Sequence, residues 1–143
     1  MLNEEEASLG SEHFWQDCSM HMEITSGMDI QNIEVLNNAV EVVKVILGTK
    51  LEHNLYFNPN LTDQGVRGKV SKHGVVLVLV CGTLHKQDKC VGVFEQLFGL
   101  IRDPGACNNW KIKNTQLHLK SELMISHVPR LEEGTLLHSI ESA

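Results

Sequence analysis

The hydrophobic positions change period several times along the chain, and each change predicts an element. In "SMHMEIT", Met20, Met22 and Ile24 alternate with Ser19, His21 and Glu23, the period of a strand with one buried face. "TSGMD" then reads as a turn. In "NIEVLNNAVEVVKVILGTK", Val35, Leu36, Ala39, Val42, Val43, Ile46 and Leu47 recur at helical spacing. That predicts an amphipathic helix, with Gly48 as its C-terminal stop. "EHNLYFNPN" offers a short strand around Leu55 and Phe57, limited by Pro59. "LTDQGVRGKVSKHG" reads as a basic, glycine-containing loop.

The stretch "VVLVLVCGTLH", residues 75–85, is apolar on both faces through Cys81. After the polar turn "KQDK" comes "CVGVFEQLFGLI", again largely apolar on both faces. A short polar link between two such runs predicts a long antiparallel hairpin. "RDPGACNN" is another turn. "WKIKNTQLHLK" alternates, but Leu117 and Leu119 share the parity of Lys111 and Lys113. A bulge near Asn114 or Thr115 would reconcile the two halves. Strands apolar on both faces need cover on both sides. One helix supplies one cover; residues 13–34, the tail or a second protein are left for the other. The expected fold class is α+β: a curved antiparallel sheet with a helix on its concave face. Residues 1–12 read as an acidic flexible tail, 13–128 as a single domain and 129–143 as a C-terminal extension. Within that extension, Leu131 to Ile140 could form a turn of helix or stay unstructured.

Composition narrows the function classes. The 143 residues carry a net charge of -6, which argues against direct nucleic-acid binding. The apolar runs fall short of the roughly 20 residues of a membrane span. "MLNEEEASLG" has neither the basic start nor the apolar run of a signal peptide. Four dispersed cysteines include no C-x-x-C pair, so no zinc signature is present. The expectation is an intracellular, reduced protein with no metal and no cofactor. Eight histidines are dispersed, some with carboxylates nearby in sequence, for example Asp17 with His21 and Asp88 with His85. The second pair belongs to an exposed turn, so no catalytic residue is expected. "GVRGK" lacks the spacing of a phosphate loop.

Three stretches carry a resemblance. They are Val78 to Leu84; Phe94, Gln96 and Phe98 on the next strand; and Trp110, Lys111 and Ile112 opening the last. Over about residues 35–120 their order and spacing resemble the nuclear transport factor 2-like family, on its branch of p15-type cofactors of messenger RNA export. The resemblance implies a cone-shaped fold and a non-catalytic module that pairs through its sheet. It implies a partner interface of Val78, Val80, Phe94, Gln96, Phe98, Trp110 and His118, where His118 replaces an arginine that meets a partner carboxylate. The implied partners are a messenger RNA export receptor with a similar domain and nucleoporin Phe-Gly repeats, at the nuclear pore and in nucleus and cytoplasm. Ran is disfavoured, because the turn "HKQDKC" holds one acid between two lysines. The two front helices of the family are not legible before residue 35, so the cone is expected to be incomplete at its N-terminus. The alternatives are a homodimeric transport factor or scaffold, and an isomerase-type enzyme on the same fold.

Overall fold

The computed structural model describes residues 10–122 and 124–143. After a 3-10 turn at Ser11–His13 come β1 (Phe14–Ser26) and β2 (Asp29–Val35), a helix α1 (Ala39–Glu52), then β3 (Tyr56–Pro59) and β4 (Val66–Val70). The long strands β5 (Val76–Lys86), β6 (Lys89–Asp103) and β7 (Asn109–Ser121) come next, and a short helix α2 (Leu137–Glu141) closes the chain. The expected acidic tail, residues 1–12, lies mostly outside the described residues.

One sheet runs in the order β2-β1-β7-β6-β5-β3, with β4 also paired to β5. The sheet is mixed rather than purely antiparallel, because β1 runs parallel to β7. A period-two pattern reveals a strand but not its direction. Here the parallel pair closes over the whole length of the chain between them. The hairpin of β5 and β6 forms as expected, with Gln87 and Asp88 both left-handed at φ 52° and 41°, the signature of a type I′ turn. The bulge of β7 falls at Lys113: Gly99 pairs with Asn114, whereas Leu100 pairs with Ile112. The β1–β2 turn is carried by Gly27 at φ 62°, where a side chain would be strained.

Two sequence readings need correction. The helix does not begin at residue 32. Asn32, Ile33, Glu34 and Val35 pair with β1, and the helix starts after Asn38, whose side chain accepts from the Glu41 backbone N–H at 3.1 Å. Nor does Gly48 stop it. The helix runs to Glu52, and Asn54 at φ 50° makes the left-handed exit. The N–H groups of Asn54 and Leu55 then return to the carbonyls of Leu51 and Lys50 at 3.2 and 2.9 Å. The second correction is the supposed loop after Pro59. It contains β4, which reverses through Ser71 to Val75 and pairs Val70 with Val76 and Val66 with Val80. Alternating arginine and lysine disguised this edge strand.

The sheet buries both faces. Facing α1 are Cys18, Met20, Met22, Val35, Leu84, Phe94, Leu117 and Leu119, packed with Ala39 and Val42 of the helix. On the opposite face Leu79, Cys81 and Leu97 meet Leu131, Leu136 and Ile140 of the tail. The segment 129–143 is therefore the second layer over the sheet, and it covers β5 and β6.

Candidate interaction surface

Pleat parity sorts the expected interface residues. Cross-strand partners share a face. Val78 opposes Phe98, Val80 opposes Gln96, and Phe94 opposes Leu119; all five of the expected residues among these lie on the α1 face. Trp110, opposite Arg102, lies at the far end of that face. His118 opposes Glu95 and Glu23, which places it on the tail face. The structure brings together Val78, Gln96 and Phe98 and separates His118 from them. Phe94 is buried edge-on against Phe57, with ring centroids 4.9 Å apart, and Val80 packs against the same core. Gln96 donates to Thr115 Oγ1 at 3.0 Å, and that hydroxyl donates to the Leu97 carbonyl at 2.9 Å.

The tail face is built around a residue that periodicity did not single out. Glu95 is 7% exposed. Its Oε1 accepts from the Thr135 N–H at 2.8 Å and the Thr135 hydroxyl at 2.7 Å, and its Oε2 accepts from the Leu136 N–H at 3.3 Å. His118 stands beside it, with Nδ1 3.0 Å from Thr135 Oγ1 and 3.4 Å from Glu95, and Nε2 3.5 Å from Glu23. Burial pushes the Glu95 carboxyl up, but the bonds from His118, Thr135 and Leu136 outweigh it and hold the group at about 2. A carboxylate held so low and so fully bonded does not exchange protons near neutral pH; it clasps the tail. Gly134 crosses directly above it, since a Cβ there would lie 2.0 Å from Glu95 Oε2. The signal that could have found Glu95 was a lone acid among apolar residues, on a strand buried on both faces.

A cavity of about 390 Å³ opens beside this clasp, lined in part by Glu23, Glu122, His127, Arg130 and Glu133. His127 and Glu133 are 2.7 Å apart and Arg130 also reaches Glu133, so the Glu133 carboxylate is already engaged within the cavity wall. The Cys81 thiol at its edge is pushed up to about 11 by burial and by the charges of Glu95 and Glu133, far from a reactive thiolate. Neither Asp17 with His21 nor Asp88 with His85 forms a pair: Asp17 binds Lys113, His21 faces Asn32, and His85 faces Thr83. Among the described residues, no group of three or more His, Cys, Asp or Glu is arranged to hold a metal. All four cysteines are free.

The other end of the α1 face is apolar. Val76, Val78, Phe98 and Leu100 share that face, yet among the described residues they belong to neither core. The helix α1 lies over β1, so this end of the face is left half-buried. Val70, 67% exposed, extends it across β4, and Trp110, 48% exposed, across β7.

This architecture matches solved proteins. The yeast Ubp3-associated protein Bre5 superposes with a TM-score of 0.55 at 14% identity, over 78% of this chain and 80% of that one. In the yeast deubiquitinase Ubp3 and Bre5 cofactor complex, the score is 0.51 at 13% identity, over 80% and 82%. These likenesses define the class: an α+β chain of the nuclear transport factor 2-like fold. More narrowly, a family model described as the DUF4518 C-terminal domain matches residues 1–130, and the chain belongs to that family. It is 39% identical over 110 residues to the Uncharacterized protein C3orf38 homolog of Rattus norvegicus. The match covers 77% of this chain and 31% of that relative, so the chain spans about a third of its length.

Proposed function

We propose that this chain is a non-catalytic binding module that pairs with a second protein domain through the uncovered end of its α1 face. One observation carries the reading: Val76, Val78, Phe98 and Leu100 form an apolar surface that belongs to neither core. Contiguous half-buried apolar area, continued by exposed Val70 and Trp110, is typical of interaction sites. The fixed charge of Glu95 and the engagement of Glu133 by His127 and Arg130 support a structural rather than a chemical use of the polar residues. Bre5 and the deubiquitinase Ubp3 form a cofactor complex, and a cofactor role is the reading adopted for this chain.

In its finer form, the partner is a messenger RNA export receptor with a similar domain, and the pair works with nucleoporin Phe-Gly repeats between nucleus and cytoplasm. That form rests on the resemblance of Val78 to Leu84, Phe94, Gln96, Phe98 and Trp110 to Ile112. Ran is disfavoured by Lys86 and Lys89 around Asp88. Size-exclusion chromatography with light scattering, on the chain alone and mixed with the export receptor's domain, tests the proposal. A one-to-one heterodimer that Phe98→Glu abolishes and His118→Ala leaves intact is the expected result. A homodimer that ignores the receptor overturns the export form, and pairing indifferent to Phe98→Glu overturns the surface.

A further inference from the structure

The surface that the described residues leave uncovered has a shape and a charge that specify more than its existence. It spans β4, β5, β6 and the start of β7. Neighbouring strands lie about 4.8 Å apart, so four of them are roughly 14 Å wide. A helix is about 10 Å across, and packed helices sit about 8–10 Å apart. Since α1 lies over β1, the layer on this face has room for one more helix beside it, over β5 and β6.

Its rim is basic. Arg102 is exposed on the same face, opposite Trp110 and next along the strand from Leu100. Lys72 and His73 occupy the exposed turn between Val70 and Val76. Lys72 and Arg102 make no ion pair among the described residues. The neighbouring acid, Asp103, points to the other face, where Lys111 holds it at 2.9 Å. A second copy related by a two-fold axis along the strands would set basic end against basic end, which is repulsive.

We propose that the surface around Val78, Phe98 and Leu100 takes an amphipathic helix of a partner protein, one whose apolar stripe is flanked by acidic residues that meet Arg102 and Lys72. This rests on the binding-module reading above and names the partner's chemistry. The apolar stripe would cover Val70, Val76, Val78, Phe98 and Leu100 and lie against the Trp110 ring. Carboxylates near one end of that helix would meet Arg102 and Lys72, which lie past Leu100 and Val76 at the same end of the surface, giving orientation and salt dependence.

The test uses two labelled helical peptides with the same Leu/Phe stripe, one flanked by Glu and one by Lys, titrated into the 143-residue chain by fluorescence anisotropy. The expected result is at least tenfold tighter binding of the Glu-flanked peptide at low salt, with the preference reversed in a Lys72→Glu, Arg102→Glu variant. Phe98→Glu should abolish binding. Val70→Lys, at an exposed position that does not endanger folding, should weaken it. Equal binding of the two peptides, or binding of neither, overturns the proposal. So does a concentration-dependent dimer broken by Phe98→Glu, which would make the occupant a second copy. If the full-length rat relative ignores a peptide that this chain binds, the occupant is supplied within one chain and the partner reading falls. If both peptides fail while receptor pairing still depends on Phe98, the binding module stands and only the acidic helix is lost.

Discussion

Met22 on one face of the sheet and Leu97 on the other are both buried, but the layers above them are made differently. Met22 lies in a broad cluster of Met, Val, Leu and Phe beneath the fourteen residues of α1, held mainly by burial, with one weak bond from the Thr49 hydroxyl to its sulfur at 3.6 Å. Leu97 lies beneath a tail with one 3-10 turn and a five-residue helix, which is too short to be stable by itself. That tail contributes Leu131, Leu136 and Ile140 and is pinned by bonds converging on Glu95. The comparison teaches that one face is secured by area and the other by a smaller area plus a directional clasp. Only the second should respond strongly to pH and to single polar substitutions.

Removing residues 131–143 should have the largest effect. Three fully buried side chains are worth roughly 1.5–3 kcal/mol each, comparable to the whole stability of a domain, about 5–15 kcal/mol. Urea melts should show no cooperative transition; a truncated chain as stable as the intact one would mean the tail is not a layer. Met22→Ala should cost about 2–5 kcal/mol by the same measurement, with no change in its pH dependence. Glu95→Gln should cost roughly 1–3 kcal/mol and remove an acid sensitivity. The Glu95 carboxyl is lowered from 4.5 to about 2 in the fold. A group depressed on folding stabilises above its unfolded value, so this contribution, on the order of 3 kcal/mol, is complete above about pH 4.5. It is lost as pH falls towards 2. Urea midpoints between pH 7 and 2.5 should show this slope in the native chain and a shallower one in Glu95→Gln. Gly134→Ala should cost about 1 kcal/mol or more, because its Cβ would meet Glu95 Oε2 and the tail must shift. Smallest should be Arg67→Ala, which breaks an exposed pair with Glu141 worth about 0–1 kcal/mol; a larger loss would mean the tail depends on its surface charges.

Strong periodicity carried much of the fold. The hairpin of β5 and β6, the strand at Met20 to Ile24, the β7 bulge and the helix around Val42 follow from apolar spacing and turn residues, which act locally. The misjudged elements are those where local and tertiary demands disagree. Asn32 to Val35 share a helical pattern with the residues of α1, but pairing with β1 claims them as a strand. In β4, Arg67 and Lys69 look like loop residues until Glu141 comes to meet them from the tail. For the candidate surface, Val78, Gln96 and Phe98 were legible as neighbours because they lie close together on paired strands. His118 was grouped with them by the resemblance alone, and its register against Glu95 and Glu23 puts it on the other face. Glu95 went unnoticed because its partners lie forty residues on.

By itself, then, the amino-acid sequence determined which residues alternate, where the tight turns fall and that the long strands need cover on both faces. These are properties of a few bonds, set by pleat, φ preference and side-chain size. Only the tertiary structure decided that β1 runs parallel to β7, that the tail covers β5 and β6, and that Glu95 is the group that holds it there. Each of these depends on segments far apart in the chain, whose meeting is governed by the total area buried and by the bonds a buried charge must find.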